Sequence, residues 1–383
     1  MNDAVNVPLS ELIKFRKEIH KNPDISGDEK NTAKRVIKFA KKFHPDQIIS
    51  NIGGNGLAVV FKGKIKGPTI LIRCELDALP ISESNNFKYK STKENVSHKC
   101  GHDGHMTIVS GLIPLFSKNK IKKGKVVLLY QPAEETGEGA EWILKDKKFK
   151  SITPDFVFAL HNLPGFEEKK ILVRENEFAA ASKGMIIKLT GKTSHAAEPE
   201  KGKNPAPAVA EIITGLNSLP GGTKALKDFS LVTIIHSIIG ERAFGTSPGY
   251  AEVMATLRSF KNGDMKLLSE EAVKCAKKIS KKYKLKAEIS FTEEFPATVN
   301  ERNCTALIKK VAKENNLKIE NLKTPFRWSE DFGHFTNLFK GALFGLGSGK
   351  NHPALQYPDY DFPDEIIKPG ILVFYSLINK ILD

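Results

Sequence analysis

The chain has 383 residues, more than a single hydrophobic core usually serves, so two domains are expected. Hydrophobic residues make up 40% and charged residues 27%, and no apolar run approaches the roughly eighteen residues of a membrane span, which points to an ordinary soluble globular chain. Lys and Arg exceed Asp and Glu by 59 to 44, a net charge of +15; the lysines lie on polar helix faces without interleaved aromatic platforms, which argues for a solvated surface and against nucleic-acid binding. Four scattered cysteines (Cys74, Cys100, Cys275, Cys304) form no disulfide framework. Residues 1–10 lack a basic start and an apolar stretch, so a cytoplasmic, membrane-free protein is expected.

In chain order, helical periodicity covers residues 9–20 and again 29–43, with Asn22-Pro23-Asp24 between them. After the Gly53-Gly54-Asn55-Gly56 turn, residues 57–61 and 69–73 read as buried strands, the second running into Cys74-Glu75-Leu76-Asp77. The octet from His98 to His105 follows, then a helix over 108–116 and a strand over 126–130 that ends in Gln131-Pro132-Ala133-Glu134-Glu135. Another apolar strand, 156–160, ends at His161-Asn162. Three strands thus deliver thiol, imidazole or carboxylate groups at their C-terminal ends, the edge of an open α/β sheet where sites form.

The style changes near Lys183: strands over 185–190, 229–236, 250–257 and 287–291 accompany two helices, and a Gly/Ser/His/Pro-rich loop spans 191–199. Cys275 falls on the apolar stripe of the second helix. A helix over 306–314, a strand over 342–346 and a helix over 371–382 resume the first pattern. The expected class is α/β: a mostly parallel, helix-covered sheet in a catalytic domain (1–182 and 296–383), interrupted by an inserted α+β lid domain with an antiparallel sheet (183–295). Gly345 to Lys350 superficially looks like a phosphate loop but lacks the required glycine and Ser/Thr spacing.

Cys100 and His102 can chelate one metal region, and a thiolate can bridge two ions. A structural zinc site would need Cys/His pairs that are missing, whereas a catalytic site gathers ligands from distant strands and leaves a position for water. Of the adjacent Glu134 and Glu135, one can bind metal while its neighbour acts as general base. His161, and His352 before Pro353, are further ligand candidates. Asp77 and Asp103 read either as acceptors of ligand-imidazole N–H groups or as turn and helix-cap residues. Two rival readings are a binding protein that has lost catalysis, which predicts a damaged ligand set, and a hydrolase with Cys100 as nucleophile, which would survive chelation.

Five ordered motifs, from Leu71-Ile72-Arg73-Cys74-Glu75-Leu76-Asp77-Ala78-Leu79-Pro80 through Cys100-Gly101-His102-Asp103-Gly104-His105, Gln131-Pro132-Ala133-Glu134-Glu135 and Leu160-His161-Asn162 to Gly191-Lys192-Thr193-Ser194-His195-Ala196-Ala197-Glu198-Pro199, resemble the metal-dependent N-acyl-amino-acid amidohydrolases. That branch holds hippurate hydrolases, indoleacetyl-amino-acid hydrolases and N-acetyl-diaminopimelate deacetylases, and is related to the aminoacylases and dinuclear zinc carboxypeptidases. The resemblance implies two divalent ions, zinc or manganese with nickel or cobalt as alternatives, bridged by Cys100. His102 and His161 would bind one ion, Glu135 and His352 the other. Glu134 would be the base, and His195 would meet the substrate carbonyl or carboxylate from a lid that also forms a homodimer. Asp77, Asp103, Asn162 and Arg258 would support the site or touch substrate. The implied activity is cleavage of an N-acyl amino acid by metal-activated water, with dipeptidase or aminopeptidase-like chemistry as the alternative. Cys74-Glu75 stands where the branch more often has Ala-Asp, and Lys99 replaces a small residue; neither removes an implied ligand.

Overall fold

The computed structural model describes residues 7–383, so the reading of the first six residues lies outside it. The first part of the chain contains α1 (Leu9–Lys21), α2 (Lys30–Lys41), β1 (Gln47–Ile52), β2 (Gly56–Lys62), β3 (Ile65–Glu75), α3 (His102–Ser110), α4 (Leu112–Lys118), β4 (Lys123–Gln131), α5 (Gly139–Lys145), β5 (Phe156–Leu163), β6 (Ile171–Val173) and β7 (Asn176–Ala179). The middle holds β8 (Ala181–Thr190), β9 (Ser194–His195), α6 (Ala206–Gly222), β10 (Ser230–Ile239), β11 (Thr246–Ser247), β12 (Tyr250–Ser259), α7 (Asn262–Lys282) and β13 (Lys286–Phe295). The last part adds β14 (Thr298–Asn300), α8 (Arg302–Glu314), β15 (Ile319–Asn321), α9 (Gly333–Thr336), β16 (Lys340–Gly347) and α10 (Ile367–Leu382).

Two compact units result: one of residues up to 178, 298–324 and 331–383, the other of 179–297 and 325–330. Segment 325–330, expected with the catalytic part, instead belongs to the inserted unit, because the Ala180 N–H donates to the carbonyls of Phe326 and Trp328. Among the described residues no helix is long and apolar enough to cross a membrane.

The first unit is built on a sheet in the order β1-β2-β4-β3-β5-β16-β6-β15. Its centre, β4-β3-β5-β16, is parallel. The strands there are continuous Val/Ile/Leu/Phe runs because helices or loops cover both faces. Leu71 is level with Val127 on one side and Val157 on the other, so β3, β4 and β5 end at the same edge. The β1-β2 edge is antiparallel, as is β6 against β16, so the sheet is mixed at its margins. Buried Leu12, Ile72, Leu128, Phe158, Phe344 and Ile371 belong to the core that joins the sheet to its helices.

The second unit carries an antiparallel sheet in the order β10-β12-β8-β13. Burial alternates strictly along β12, the mark of a sheet covered on one face. Met265, Leu268, Ala272 and Ala276 of α7 are buried on one helical stripe. Cys275, expected in the core, is half-buried.

Candidate active site

Helix α3 begins at His102, six residues before the expected start, so the second half of the octet is helical rather than loop. Gly101 makes this possible. Its φ of +87° lies in the left-handed region, and a Cβ there would approach Asn162 Oδ1 to 2.4 Å. His102, Asp103 and His105 are thereby buried in the first turn, each with 1% exposure or less.

Cys100, His102 and His161 bring one donor atom each within 4.8 Å of one another, and His102, Glu134 and Glu135 do the same. His102 Nδ1 donates to the Asp77 carbonyl at 2.9 Å, and His161 Nδ1 donates to the Asn162 carbonyl at 2.8 Å. Both bonds fix the tautomer that presents Nε2 to a cation. His161 Nε2 lies 3.5 Å from Cys100 Sγ. His102 Nε2 lies 3.7 Å from Glu134 Oε2 and 3.8 Å from Glu135 Oε1, and it is buried without a hydrogen-bond partner. An orphaned imidazole nitrogen between a thiol and two carboxylates is a poor arrangement for a dry interior and a good one for a divalent ion.

The loops after the strands aim these groups. Ala133 adopts a left-handed φ of +48°, uncommon for a residue with a Cβ and concentrated at functional sites. Its N–H donates to buried Glu29 Oε1 at 2.8 Å. The Glu135 N–H donates to Asp77 Oδ2 at 2.9 Å, and Ser26 Oγ donates to the same oxygen at 2.7 Å. Asp77 thus ties the β3 loop to the β4 loop besides holding His102.

The electrostatics follow from burial and pairing. Burial pushes the Cys100 thiol up, and neighbouring Glu135 adds to this. Burial opposes a charge on His102, yet Cys100 and Asp77 raise it well above the ordinary imidazole range. His161 is pushed down to about 3 by burial and by His105, so it remains a neutral donor. Burial resists ionisation of Asp77, but its pairing with His102 keeps the carboxyl below its usual range.

Two expected roles change. Asp103 neither caps α3 nor touches a ligand imidazole; it accepts from Arg16 Nη1 and His20 Nδ1, both at 2.9 Å. His352 joins neither donor group: its Nε2 donates to the Asp361 carbonyl and its ring packs edge-on against Tyr360. Asn162 lies at the site, its side chain contacting His105 and Tyr360. In the inserted unit, His195 is exposed on β9, with Nδ1 accepting from the Ala197 N–H at 3.1 Å, and Arg258 Nη1 donates to the Arg327 carbonyl and Ser329 Oγ, each at 3.0 Å.

A buried relay behind the site escaped the sequence reading. His105 Nδ1 donates to Glu75 Oε2 at 2.7 Å, Glu75 pairs with Arg73, and Arg73 also pairs with Asp331. Gln131 Nε2 donates to Asp331 as well, at 2.6 Å. Burial opposes the Glu75 charge, but Arg73 and His105 hold its carboxyl well below the usual range. The signal was an arginine inside an otherwise apolar strand, since a buried guanidinium requires carboxylate partners.

A parallel sheet whose C-terminal edge gathers a thiol, two imidazoles and paired carboxylates defines a metallohydrolase centre. Residues 71–380 match the model of Peptidase family M20/M25/M40. The chain belongs to this family and is a metal-dependent amidohydrolase. It is 32% identical over 374 residues to a hippurate hydrolase of Campylobacter jejuni, covering 97% of both chains. It is 28% identical over 359 residues to an N-acetyldiaminopimelate deacetylase of Priestia megaterium, covering 91% of this chain and 93% of that one. Among solved structures, a protein from methicillin resistant Staphylococcus aureus superposes with a TM-score of 0.90 at 23% identity, with all of both chains covered. A dinuclear metal binding peptidase of the M20 family from Bacillus subtilis gives 0.83 at 24% identity over 98% of each chain.

Proposed function

We propose that the protein hydrolyses the amide bond of an N-acyl amino acid, releasing a carboxylate and a free amino acid. The observation that carries this reading is the placement of Glu134 and Glu135 beside the unbonded His102 Nε2. Cys100, His102, His161 and Glu135 would hold two divalent ions, with zinc or manganese suited to this donor set. When bound, these ions supply Lewis acidity, polarising the scissile carbonyl and bringing the pKa of the attacking water toward about 7. Glu134 takes the proton of that water and passes it to the leaving nitrogen. His195 binds the substrate carbonyl or carboxylate, a role worth about 10²–10³ in rate where it stabilises an oxyanion.

The names of the two curated relatives motivate benzoyl and acetyl groups as the first acyl groups to test. The protein would act in the cytoplasm as a homodimer joined through the inserted unit. In support of the dimer, β10 is an edge strand and leaves Ile235 60% and Ile238 46% exposed.

The test is a panel of benzoyl-, acetyl- and indoleacetyl-amino acids together with simple dipeptides, assayed before and after chelation. Activity on acyl amino acids that disappears with chelator and returns with added Mn²⁺ or Zn²⁺ is expected. Turnover of dipeptides alone would move the assignment to a peptidase, and activity that survives chelation would sink the metal-dependent reading.

A further inference from the structure

The end of the central sheet where β3 and β4 begin carries positive charge that the catalytic site does not use. Residues 62–68 and 118–125 hold eight lysines and no Asp or Glu. The fold brings the two segments together: the Gly63 N–H donates to the Gly124 carbonyl at 2.8 Å, and the Ile65 N–H to the Lys122 carbonyl at 3.0 Å. Six of the eight lysines are exposed, and Lys123 and Lys125 are half-buried. Only Lys118 ends a helix, so the helix-face account of the other lysines does not cover this group. Lys62 Nζ donates to Gln47 Oε1 at 3.0 Å and Lys125 Nζ to the Ser151 carbonyl at 2.8 Å, both neutral acceptors. Among the described residues none of the eight joins an ion pair. Asp46 and Asp155 border the segments, but each accepts a backbone N–H at 2.7 Å, from Lys62 and Thr69 respectively. Apolar side chains stand among the lysines. Ile65 is 62% exposed, and Leu338, 64% exposed, lines a cleft of about 750 Å³ with Lys66 and Lys340.

We propose that this end of the sheet is a docking surface for an anionic lipid bilayer. Clusters of about four to eight lysines are attracted to an anionic leaflet, and exposed aliphatic side chains enter its headgroup layer. Neither segment contains arginine, whose fork grips a single phosphate, or an aromatic residue on which a base could stack. That composition suits a diffuse negative surface better than a nucleic acid. The nine residues of β4 lead from here to Gln131, so the bilayer would lie about 30 Å from the catalytic ends of the strands and leave them open to substrate. The membrane-free expectation rested on the lack of a spanning run and of an apolar N-terminal stretch, and a chain without either can still lie on a membrane.

The experiment is co-sedimentation with vesicles of phosphatidylcholine alone and of phosphatidylcholine mixed with phosphatidylserine. Pelleting with the mixed vesicles only is expected at low salt, and its loss in about 1 M salt, where screening shortens to about 3 Å. Each lysine at such a surface is worth about fivefold in binding, so Lys64→Glu with Lys122→Glu should bind at least about tenfold more weakly. Ile65→Ser should lose at least about threefold. The same charge change on α7, Lys277→Glu with Lys281→Glu, should leave binding as in the parent. Urea midpoints matching the parent's establish that each variant is folded, and the comparisons of lipid and salt need no variant. No pelleting with the mixed vesicles, equal pelleting with both kinds, or equal losses in the two double variants would overturn the proposal. Single-stranded RNA that binds more tightly than the vesicles, and as well to Ile65→Ser as to the parent, would also overturn it by assigning the lysines to nucleic acid.

Discussion

Exchanging the Glu134 carboxylate for a carboxamide keeps the shape of the side chain and removes the proton acceptor. Turnover of Glu134→Gln is expected to fall by about 10²–10⁴-fold, with metal content by elemental analysis equal to that of the parent; a near-normal rate would refute the assignment of the base. Asp77 acts one step further out. Its carbonyl holds His102 Nδ1, and its Oδ2 anchors the Glu135 backbone. Asp77→Ala keeps that backbone carbonyl but removes Oδ2, freeing the Glu135 backbone, and should weaken metal binding by about 10- to 100-fold, measured by competition with a chelator of known affinity. His20 supplies a pH signature. Burial disfavours its charge, but hydrogen bonds to Asp103 and Glu83 raise it from 6.5 to about 9. Because the folded value exceeds the unfolded one, the protonated form is stabilising. Its contribution, up to roughly 3 kcal/mol, is complete below pH 6.5, fades between 6.5 and 9, and is gone above. Urea midpoints should drop across that window in the parent and change much less in His20→Gln. Equal slopes in the two proteins would discard this linkage.

At the scale of elements, α3 is held where glycine permits contact. A Cβ on Gly104 would approach the Phe362 ring to 2.2 Å, so Gly104→Ala must push helix and ring apart. A loss of about 1–3 kcal/mol is expected, as for other overpacked cores, read from denaturant unfolding. The same helix shows where sequence reading reached and where it stopped. The strands β3, β4 and β5 were legible because burial on both faces makes them continuous apolar runs, and the donors at their ends could be read from position. The start of α3 was not, because His102, Asp103 and His105 look like loop residues until Arg16, His20 and Glu75 are known to lie against them. Those partners are 30 to 87 positions away along the chain, and no local period records them. Strands β1, β6 and β15 were also illegible: the first is largely exposed, and the others are three residues long. His352 misled for a related reason. Its residue type and its Gly/Asn-rich loop suit a ligand, but the loop's backbone path decides what the side chain meets.

For the whole molecule, an edge strand with exposed isoleucines invites pairing with a second copy. Ile235→Lys places a charge on that edge and should shift the protein toward monomer in sedimentation velocity while leaving the urea midpoint within about 0.5 kcal/mol of equivalent stability. An unchanged sedimentation profile would argue against pairing through this strand.

The position of β16 has a temporal meaning. This strand, Lys340–Gly347, lies between β5 and β6 in the sheet although most of the chain precedes it. On the ribosome, β5 and β6 therefore emerge long before the strand that separates them, and the inserted unit can fold in the interval. The strand that carries His161 leaves an open, apolar margin during that time, a surface suited to a chaperone or to a mistaken partner. The β5 edge of the sheet is thus completed only after β16 has been made.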